Sequence, residues 1–330
     1  MQHFFKRIIS GLLITAFFLM CSCHNIPALS ETATGFYFNT VISVTVYDSP
    51  TISLPTKELA DNCLKMAEHY EQQFSRTVEY SDIWNVNHSN CTPVTVSDDT
   101  IALLTIALSY AERSDGLVDP TIGSLSLLWN FSDTDQKTVP SHDEIEKALS
   151  HVNYKAIHID GNQVILSDPD ACIDLGFIAK GYIADRMKEY LQSKGVTSAI
   201  INLGGNVQTI GNKPDGSVYK VGVQEPFAPT GTTLLALSVT DKSVVSSGNY
   251  ERCFTVDDIL YHHILSTTDG YPIKNDLSQV TIISNSSADG DALSTLCYIL
   301  GYEEGFKLIE SLPDTDAVFV TANGEVIKTF

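Results

Sequence analysis

The apolar residues of the chain follow two periods, one typical of strands and one typical of helices. Residues 40–47 (TVISVTVY) alternate between the two faces of an extended chain and are rich in β-branched side chains, which predicts a strand. The same reasoning predicts strands at residues 198–203, 218–223, 234–239 and 279–284. Residues 57–74 instead space their apolar side chains three or four apart, which predicts an amphipathic helix. Further helices are predicted at residues 98–112, 179–194, 291–300 and 303–310.

Turn residues divide these elements. Ser97 or Asp98 can cap the helix at 98–112, and Gly195 ends the helix at 179–194. Gly161-Asn162 predicts a hairpin between residues 154–160 and 163–167, and Asn323-Gly324 predicts a hairpin near the C-terminus. Strands and helices are mixed without strict βαβ alternation. The expected fold class is therefore a single α+β domain.

The first residues have the composition of a targeting segment. Lys6 and Arg7 precede a mainly apolar stretch at residues 8–20, which is too short to span a bilayer comfortably and is typical of a signal peptide. The stretch ends at residues 19–23 (LMCSC), which resembles a bacterial lipobox. The sequence therefore predicts a protein anchored by lipid, palmitate included, to the extracytoplasmic face of the cell membrane. Secretion in soluble form is the alternative.

Either of two cysteines could carry the lipid. Cys23 follows the small residue Ser22, which is the usual preference, whereas Cys21 follows Met20. Cys23 is therefore the predicted lipidation site and Cys21 the alternative. This assignment divides the chain into a signal peptide at residues 1–22, a Ser/Thr/Ala-rich tether at residues 23–35 and one domain at residues 36–330.

The net charge limits the partners of the chain. The 330 residues carry a formal charge of −20 at pH 7. Nucleic-acid binding depends on lysine and arginine neutralising phosphates, so a nucleic-acid partner is not expected. Broad docking on anionic lipid is disfavoured for the same reason. An anionic ligand would need a metal ion or a well-placed lysine beside it.

The other cysteines have no pattern typical of a metal or redox site. Five follow the lipobox: Cys63, Cys91, Cys172, Cys253 and Cys297. None of them forms a CxxC pair. Buried free thiols are the expected state of Cys63, Cys172 and Cys297, which lie in apolar or helical surroundings.

The densest chemical signal is residues 174–185 (DLGFIAKGYIAD), a loop that opens onto a helix. Gly176 and Gly181 allow close approach of the backbone, and the N–H groups of a helix N-terminus can bind an anion. Lys180 adds a positive charge beside them. The alternative is an ordinary junction between a loop and a helix with a solvated lysine.

A second signal is residues 288–295 (ADGDALST). Asp291 and Thr295 are four residues apart and therefore share one face of a helix. Carboxylate and hydroxyl oxygens are hard donors that suit Mg²⁺. Alternatively, Asp291 only caps the helix or complements its dipole, and Thr295 bonds its own backbone.

Three further segments combine glycine with polar residues. Residues 261–272 (YHHILSTTDGYP) carry paired histidines into a turn, and histidines on a strand are often purely structural. Residues 202–206 (NLGGN) and 246–252 (SSGNYER) could cradle a ligand or form tight turns.

Taken in order, these motifs resemble those of the ApbE-type family of FAD:protein FMN transferases. Family motifs DLGxxAKGYxxD, NLGGN/D and SGxYER match at residues 174–185, 202–206 and 247–252, and ADALST matches the stretch around residues 291–295. Weaker matches are FSxYxxxSDIxxLN at residues 74–87 and GxFDPT at residues 116–121. The resemblance covers residues 36–330 and implies an ApbE-like mixed α/β domain.

The resemblance also implies a set of site residues. Mg²⁺ would be bound by the backbone oxygen of Phe177 together with Asp291 and Thr295. FAD would contact Phe38, Asn39, Leu117, Val118, Asp119, Asp174, Lys180 and His263, with Thr77 at the same site. Asp291, Lys180 and His263 are the residues expected to serve catalysis.

The implied reaction is Mg²⁺-dependent transfer of FMN from FAD to a Thr or Ser hydroxyl of an acceptor flavoprotein, with release of AMP. The acceptor would be an FMN-binding domain of a membrane redox complex or a secreted flavoprotein. Two alternatives remain: a Mg²⁺-dependent FAD pyrophosphatase giving FMN and AMP, and a flavin-binding lipoprotein without turnover.

The chain departs from the family motifs at two positions. Thr77 replaces the aromatic residue of FSxY, which removes a stacking partner for a flavin or adenine ring and keeps the pyrophosphatase alternative open. Residues 266–270 (STTDG) displace a carboxylate of the family's DPxTG, so no general base is assigned there.

Overall fold

An eight-stranded antiparallel sheet organises the protein in the computed structural model, which describes residues 29–132 and 137–330. Its strands are β1 (Ser30–Tyr37), β2 (Thr40–Tyr47), β6 (Ala199–Leu203), β7 (Asn206–Ile210), β10 (Ser243–Gly248), β13 (Leu277–Ser284), β14 (Asp316–Thr321) and β15 (Val326–Lys328), in that spatial order. Smaller sheets pair β3 (Val94–Thr95) with β5 (Gln163–Leu166) and β4 (Ile157–Asp160), β8 (Tyr219–Gln224) with β9 (Thr233–Val239), and β11 (Cys253–Val256) with β12 (Ile259–His262).

Helices cover one face of the main sheet. The α-helices of the described part of the chain are α1 (Thr56–Phe74), α2 (Asp82–Asn87), α3 (Asp98–Arg113), α4 (Gly123–Trp129), α5 (His142–Leu149), α6 (Ala179–Ser193) and α7 (Ser287–Glu310). The apolar sides of α1, α6 and α7 pack on the strands and form the largest core. None of the helices in the described residues is long and apolar enough to cross a bilayer.

The β8–β9 hairpin covers part of the other face. Tyr219 and Leu237 of the hairpin pack with Val244, Ile283 and Val318 of the main sheet. Strand β13 lies between the two layers, and all eight of its residues are buried. Strand β2 lacks the second layer over most of its length, so its residues alternate between buried and partly exposed. A third apolar cluster joins α4, α5 and the β11–β12 hairpin, where buried Trp129 donates its Nε1–H to the carbonyl of Gly270 at 2.8 Å.

The predicted strands and the long helices are present within one or two residues of their expected ends, with two exceptions. The hairpin arm expected from residue 154 begins at Ile157, after a 3-10 turn at Tyr154–Ala156. Residues 291–310 form one helix with the four residues before them, because Ser286 caps α7 by accepting the N–H of Asp289. The predicted break between two helices corresponds to a kink at Gly301, whose φ of 78° is non-helical. The two predicted hairpins turn at Gly161-Asn162 and Asn323-Gly324 as expected.

The predicted N-terminal tether is wrong for residues 30–35. The composition of residues 23–35 predicts a tether, but residues 30–35 form most of β1, which pairs with β2 along its whole length. Six of the eight β1 side chains carry little apolar surface, so the strand depends on backbone pairing and gives no hydrophobic signal. The signal peptide at residues 1–22 and both candidate lipidation sites, Cys21 and Cys23, lie outside the described residues and stay predictions.

Candidate active site

Loops at the ends of the main elements surround a cavity of about 460 Å³. The cavity lies between the β1–β2 turn, the loop after α1, the loop before α4, the N-termini of α6 and α7, and the segment after β12. All of the residues predicted to bind FAD or metal line it: Phe38, Asn39, Thr77, Leu117, Val118, Asp119, Asp174, Phe177, Lys180, His263, Asp291 and Thr295. The fold thus brings together residues that are far apart in sequence, and their individual roles stay predictions.

The N-terminus of α6 is hydrogen-bonded by a side chain of another helix. No side chain caps this helix at Ile178. Gly181 is the third residue of α6, so its N–H has no partner within the helix, and it donates to Asp291 Oδ2 at 2.9 Å instead. The carbonyl oxygen of Phe177, which lies just before the N-cap, accepts no hydrogen bond from the described residues.

Glycine is required at position 181 by the packing of α6 on α7. A Cβ atom there would lie 2.2 Å from the backbone oxygen of Ser287. Any larger residue would push the two helix ends apart. The glycine of the AKG motif therefore sets a close approach between the helices, which brings the Gly181 N–H within hydrogen-bond distance of Asp291.

Asp291 is a buried carboxylate that faces the cavity. Only 4% of the residue is exposed. Its Oδ1 lies 3.9 Å from Nζ of Lys180, which is an ion-pair distance without a hydrogen bond. Burial raises the pKa of Asp291, against the stabilising effects of Lys180 and the Gly181 N–H. The alternative that Asp291 merely caps α7 is wrong, because Ser286 is the cap and Asp291 lies more than a turn into the helix.

The oxygen donors at this end of the cavity suit a hard cation. Thr295 Oγ1 lies 3.2 Å from Ser247 Oγ, so its hydroxyl is held by β10. Ser247 Oγ also lies 2.7 Å from Ser294 Oγ. A free backbone oxygen at Phe177, a buried carboxylate at Asp291 and the Thr295 hydroxyl together form a donor set that fits Mg²⁺. Another grouping, of His151, Asp168 and Asp170, lies on the surface outside the cavity lining.

The cavity lining carries charges of both signs, with the carboxylates Glu71, Asp119, Asp174, Glu251 and Asp291 beside a few basic residues. Within the described part of the chain, the basic residues of the lining are Arg76, Lys180 and Arg252. Arg76 Nε donates to Asp174 Oδ2 at 2.8 Å, and Gly176 N donates to the other oxygen of Asp174 at 2.9 Å. Arg76 and Arg252 lie inside the motifs at residues 74–87 and 247–252, but the sequence alone predicts no role for either of them.

The paired histidines have different surroundings. His262 ends β12 and its Nε2 lies 2.9 Å from the carbonyl of Ile273, so it has a structural role. His263 lines the cavity, and its buried Nδ1 has no hydrogen-bond partner among the described residues. Burial and the nearby charge of Arg252 lower the pKa of His263 to about 3. Its imidazole is therefore neutral near pH 7 and keeps one ring nitrogen free for a ligand.

Asp119 shapes its own loop. One carboxylate oxygen accepts the N–H and hydroxyl of Thr121 at 2.7 and 2.6 Å, and the other accepts the N–H of Tyr154 at 2.8 Å. With both oxygens bonded and only 5% of the residue exposed, Asp119 holds the loop in which Leu117 and Val118 line the cavity.

Turns form the more exposed side of the cavity. Phe38 and Asn39 are the two turn residues of the β1–β2 hairpin, with φ values of 53° and 55°, and the Phe38 N–H donates to Glu71 Oε1 at 2.6 Å. Gly204 and Gly205 form the β6–β7 turn, so the NLGGN motif is a tight turn that also lines the cavity. Thr77 is exposed, with its Oγ1 3.1 Å from Ser75 Oγ.

The displaced carboxylate of residues 266–270 lies outside the cavity lining. Asp269 is exposed and accepts the N–H of Tyr271 at 3.1 Å, whereas Thr267 is a lining residue. This position supports leaving the general base unassigned at Asp269.

The cysteines have no part in the site. All five in the described residues are free, and Cys63, Cys172 and Cys297 are buried as expected. Burial raises the pKa of each of these three thiols to about 12, so they are protonated and unreactive near pH 7.

Known proteins that are similar to this chain include FAD:protein FMN transferases. A FAD:protein FMN transferase from Klebsiella pneumoniae (strain 342) is 36% identical over 272 residues, which cover 82% of this chain and 84% of the relative. A FAD:protein FMN transferase from Treponema pallidum (strain Nichols) is 36% identical over 244 residues, covering 69% of this chain and 67% of the relative. The crystal structure of the ApbE protein from Thermotoga maritima matches with a TM-score of 0.82 at 31% identity, covering 91% of this chain and 97% of that chain.

These likenesses confirm the predicted fold, a single mixed α/β domain. A model of the ApbE family matches residues 38–319, which include the whole cavity lining. The chain belongs to the ApbE family.

Proposed function

We propose that this protein transfers FMN from FAD to a Thr or Ser hydroxyl of an acceptor flavoprotein. The hydroxyl oxygen attacks the phosphorus on the FMN side of the pyrophosphate, and the bond from that phosphorus to the bridging oxygen breaks. AMP leaves with the bridging oxygen, and the hydroxyl loses its proton. The observation that carries the proposal is the buried Asp291 carboxylate beside Lys180 in a cavity of a chain from this family.

The donor set supports a bound Mg²⁺ at the inner end of the cavity. Phe177 O, Asp291 and Thr295 would hold the ion, which would neutralise charge on the phosphoryl oxygens as the pyrophosphate breaks. Lys180 adds a second positive charge at the same place. In a cavity sheltered from water, such fixed charges stabilise the transition state more than they would in solution.

Substrate positioning would fall to the other lining residues. A cavity of about 460 Å³ is within the usual range for small-molecule sites. His263, with a neutral ring and a free Nδ1, can accept a hydrogen bond from FAD or from the acceptor hydroxyl. Arg76 and Asp174 form a part-buried ion pair that gives FAD a fixed polar wall.

One experiment separates the proposal from its two alternatives. The purified protein is incubated with FAD and MgCl₂, with and without an acceptor domain, and FAD, FMN and AMP are separated by chromatography. Transfer predicts a fluorescent flavin on the acceptor after denaturing electrophoresis and one AMP released for each flavin attached. AMP and free FMN at equal rates with and without acceptor would indicate a pyrophosphatase, and intact FAD in both reactions would indicate a binding protein.

We further propose that the protein is lipid-anchored at Cys23 on the extracytoplasmic face of the cell membrane. The lipobox-like residues 19–23 support this location. The acceptor would then be on the same face, as an FMN-binding domain of a membrane redox complex or a secreted flavoprotein. Mass spectrometry of the mature protein from the membrane fraction tests the proposal, and an unmodified N-terminus in the soluble fraction would refute it.

A further inference from the structure

Helices α6 and α7 each supply a carboxylate that accepts hydrogen bonds from the N-terminus of the other helix. Asp291 of α7 accepts the Gly181 N–H at the start of α6. In the opposite direction, Asp185 of α6 accepts three hydrogen bonds from the start of α7. Its Oδ1 accepts the N–H of Ser287 at 2.8 Å, and its Oδ2 accepts the N–H of Ala288 and the hydroxyl of Ser286, both at 3.0 Å.

This second cap is separate from the cavity. Asp185 is absent from the cavity lining. It nevertheless holds the turn of α7 that immediately precedes Asp291. Because helix N–H groups favour a nearby anion, three donors on one carboxylate fix both the position and the rotation of that turn.

The start of α7 is also held from its other side. The Ser287 hydroxyl donates to Asn206 Oδ1 at 2.6 Å and is bonded to Ser243 Oγ at 2.9 Å. The sheet therefore fixes one side of the turn and Asp185 fixes the side that faces α6. Without Asp185, the contact between the two helices at this level would rest on the Gly181–Asp291 bond and on packing.

We propose that Asp185 is a positioning residue for the metal site. It holds α7 against α6 so that Asp291 can accept the Gly181 N–H with one oxygen and present the other beside Lys180 and the free carbonyl of Phe177. The inference rests on the proposed role of Asp291 as the metal ligand. It gives a chemical role to the last residue of the 174–185 motif, which the reaction itself does not use.

The test replaces Asp185 and measures metal binding without turnover. Asp185→Asn keeps the shape of the side chain but removes the charge and replaces one acceptor oxygen by a donor. Asp82→Asn is a matched control, because Asp82 holds the N-terminus of α3 in the same way, accepting the Ser97 N–H at 2.9 Å and the Thr100 hydroxyl at 2.6 Å, outside the cavity lining. Both variants lose an interhelical cap, and only one of these caps is next to Asp291.

Two quantities are measured: the rise of the melting temperature with MgCl₂ in the absence of FAD, and the MgCl₂ concentration for half-maximal transfer. For Asp185→Asn we expect the midpoint of each titration to rise by about tenfold, as for other partners that orient metal ligands. The transfer rate at saturating MgCl₂ is expected to be much less affected. The Asp82→Asn midpoints should match those of the wild type, even if its melting temperature without metal falls.

A milder pair of variants covers the case in which Asp185→Asn does not fold. Ser286→Ala removes one donor to Asp185 and the cap of α7, and Ser141→Ala removes a comparable serine cap from α5. A raised MgCl₂ midpoint only in Ser286→Ala supports the proposal. Equal midpoints within each pair of variants would overturn it.

Asp291→Ala distinguishes failure of this inference from failure of the proposed metal site. If Asp291→Ala abolishes the response to MgCl₂ while Asp185→Asn behaves as Asp82→Asn does, Asp185 has no positioning role and the metal site stands. If Asp291→Ala responds to MgCl₂ as the wild type does, the metal site itself is wrong, and the inference about Asp185 fails with it.

Discussion

The two ends of the cavity are built differently. At the inner end, Lys180, Asp291 and Thr295 stand on helices whose N-termini are joined by hydrogen bonds and close packing. At the mouth, Asn39 and Thr77 are exposed and lie on turns. The inner end leaves little room for change, whereas the mouth can vary without disturbing the core. The contrast indicates that the chemistry is determined at the inner end and that differences among acceptors or side reactions originate at the mouth.

The largest effect is expected from removing the buried carboxylate of the inner end. Asp291→Ala takes away the only proposed anionic ligand of the metal and the acceptor of the Gly181 N–H. We expect transfer at ordinary MgCl₂ to fall by about 1000-fold, comparable to the loss of an essential electrostatic contact in other enzymes. The rate of AMP release by chromatography measures this effect.

A neighbouring variant serves as the control. Asp289→Asn changes an exposed carboxylate on the same helix, outside the cavity lining. It should keep most of the activity, and circular dichroism should show both variants folded. Near-normal transfer by Asp291→Ala would mean that the metal is bound elsewhere.

A smaller effect is expected where the two ends meet. Arg76 comes from the loop after α1 and pairs with Asp174 of the loop before α6, with about a fifth of each side chain exposed. Arg76→Ala leaves the Asp174 carboxylate without its partner and removes a positive charge from the FAD site. We expect the KM for FAD to rise by about tenfold, with kcat changed much less, because the pair binds substrate and transition state alike.

Steady-state kinetics over a range of FAD concentrations measure this prediction. Arg186→Ala is the control, because Arg186 also pairs with a carboxylate, that of Glu189, but lies outside the cavity lining. If kcat falls as strongly as kcat/KM in Arg76→Ala, the pair stabilises the transition state, and Arg76 then belongs with the catalytic residues of the inner end.

Much of the inner end could be predicted from the sequence. The loop at 174–178, the helix after it and the one-face pairing of Asp291 with Thr295 follow from glycine placement and helical spacing. The hydrogen bonds from the start of α6 to Asp291 and from the start of α7 to Asp185 could not be predicted. They depend on the distance between two helices that are more than one hundred residues apart in sequence. The same limit explains why α7 was expected to begin at Asp291, since its true cap at Ser286 lies in a serine-rich stretch with several possible caps.

The mouth was less predictable. The β1–β2 turn lacks the Asn-Gly signal of a tight hairpin and places Phe38 and Asn39 at positive φ, and β1 itself was assigned to a tether. The short elements α2, α4 and α5 were not predicted either, since six to eight residues are too few to establish a helical period. Arg76 faces the cavity only because of the loop conformation after α1. Tertiary contacts determine these positions, and no local pattern encodes them.

The free histidine of the cavity should affect stability in a pH-dependent way. The pKa of His263 is about 3 in the folded protein against 6.5 for an exposed histidine, because burial and Arg252 disfavour the charged ring. Between these values the unfolded state binds more protons, so His263 lowers stability as the pH falls below about 6.5. His263→Gln should remove this contribution, which is at most about 1.4 kcal/mol per pH unit.

Urea unfolding of the wild type and His263→Gln at about pH 7.5 and about pH 5 tests the prediction. The wild type should lose more stability between the two pH values than the variant loses. Equal losses would mean that His263 takes up its proton in the folded protein as readily as in the unfolded chain, which would contradict the lowered pKa of the buried ring.

The smallest effect is expected at the mouth, at Thr77. This residue occupies the position of an aromatic residue in the family motif, and it is exposed with its hydroxyl 3.1 Å from Ser75 Oγ. A threonine leaves space for water near the pyrophosphate, and exclusion of water is one way in which a transferase avoids hydrolysing its donor. We therefore expect the wild type to release some free FMN and AMP from FAD when no acceptor is present.

Thr77→Tyr should reduce that release several-fold while preserving transfer, because an exposed turn position accepts a larger side chain without disturbing the inner end. Thr77→Ser, which keeps both the space and the hydroxyl, is the matched control and should hydrolyse FAD as the wild type does. Chromatography of FAD, FMN and AMP, together with flavin fluorescence of the acceptor on a denaturing gel, gives both rates for each protein. Equal hydrolysis by all three proteins would show that water reaches the phosphoanhydride independently of position 77, and the mouth would then differ from the inner end only in its tolerance of substitution.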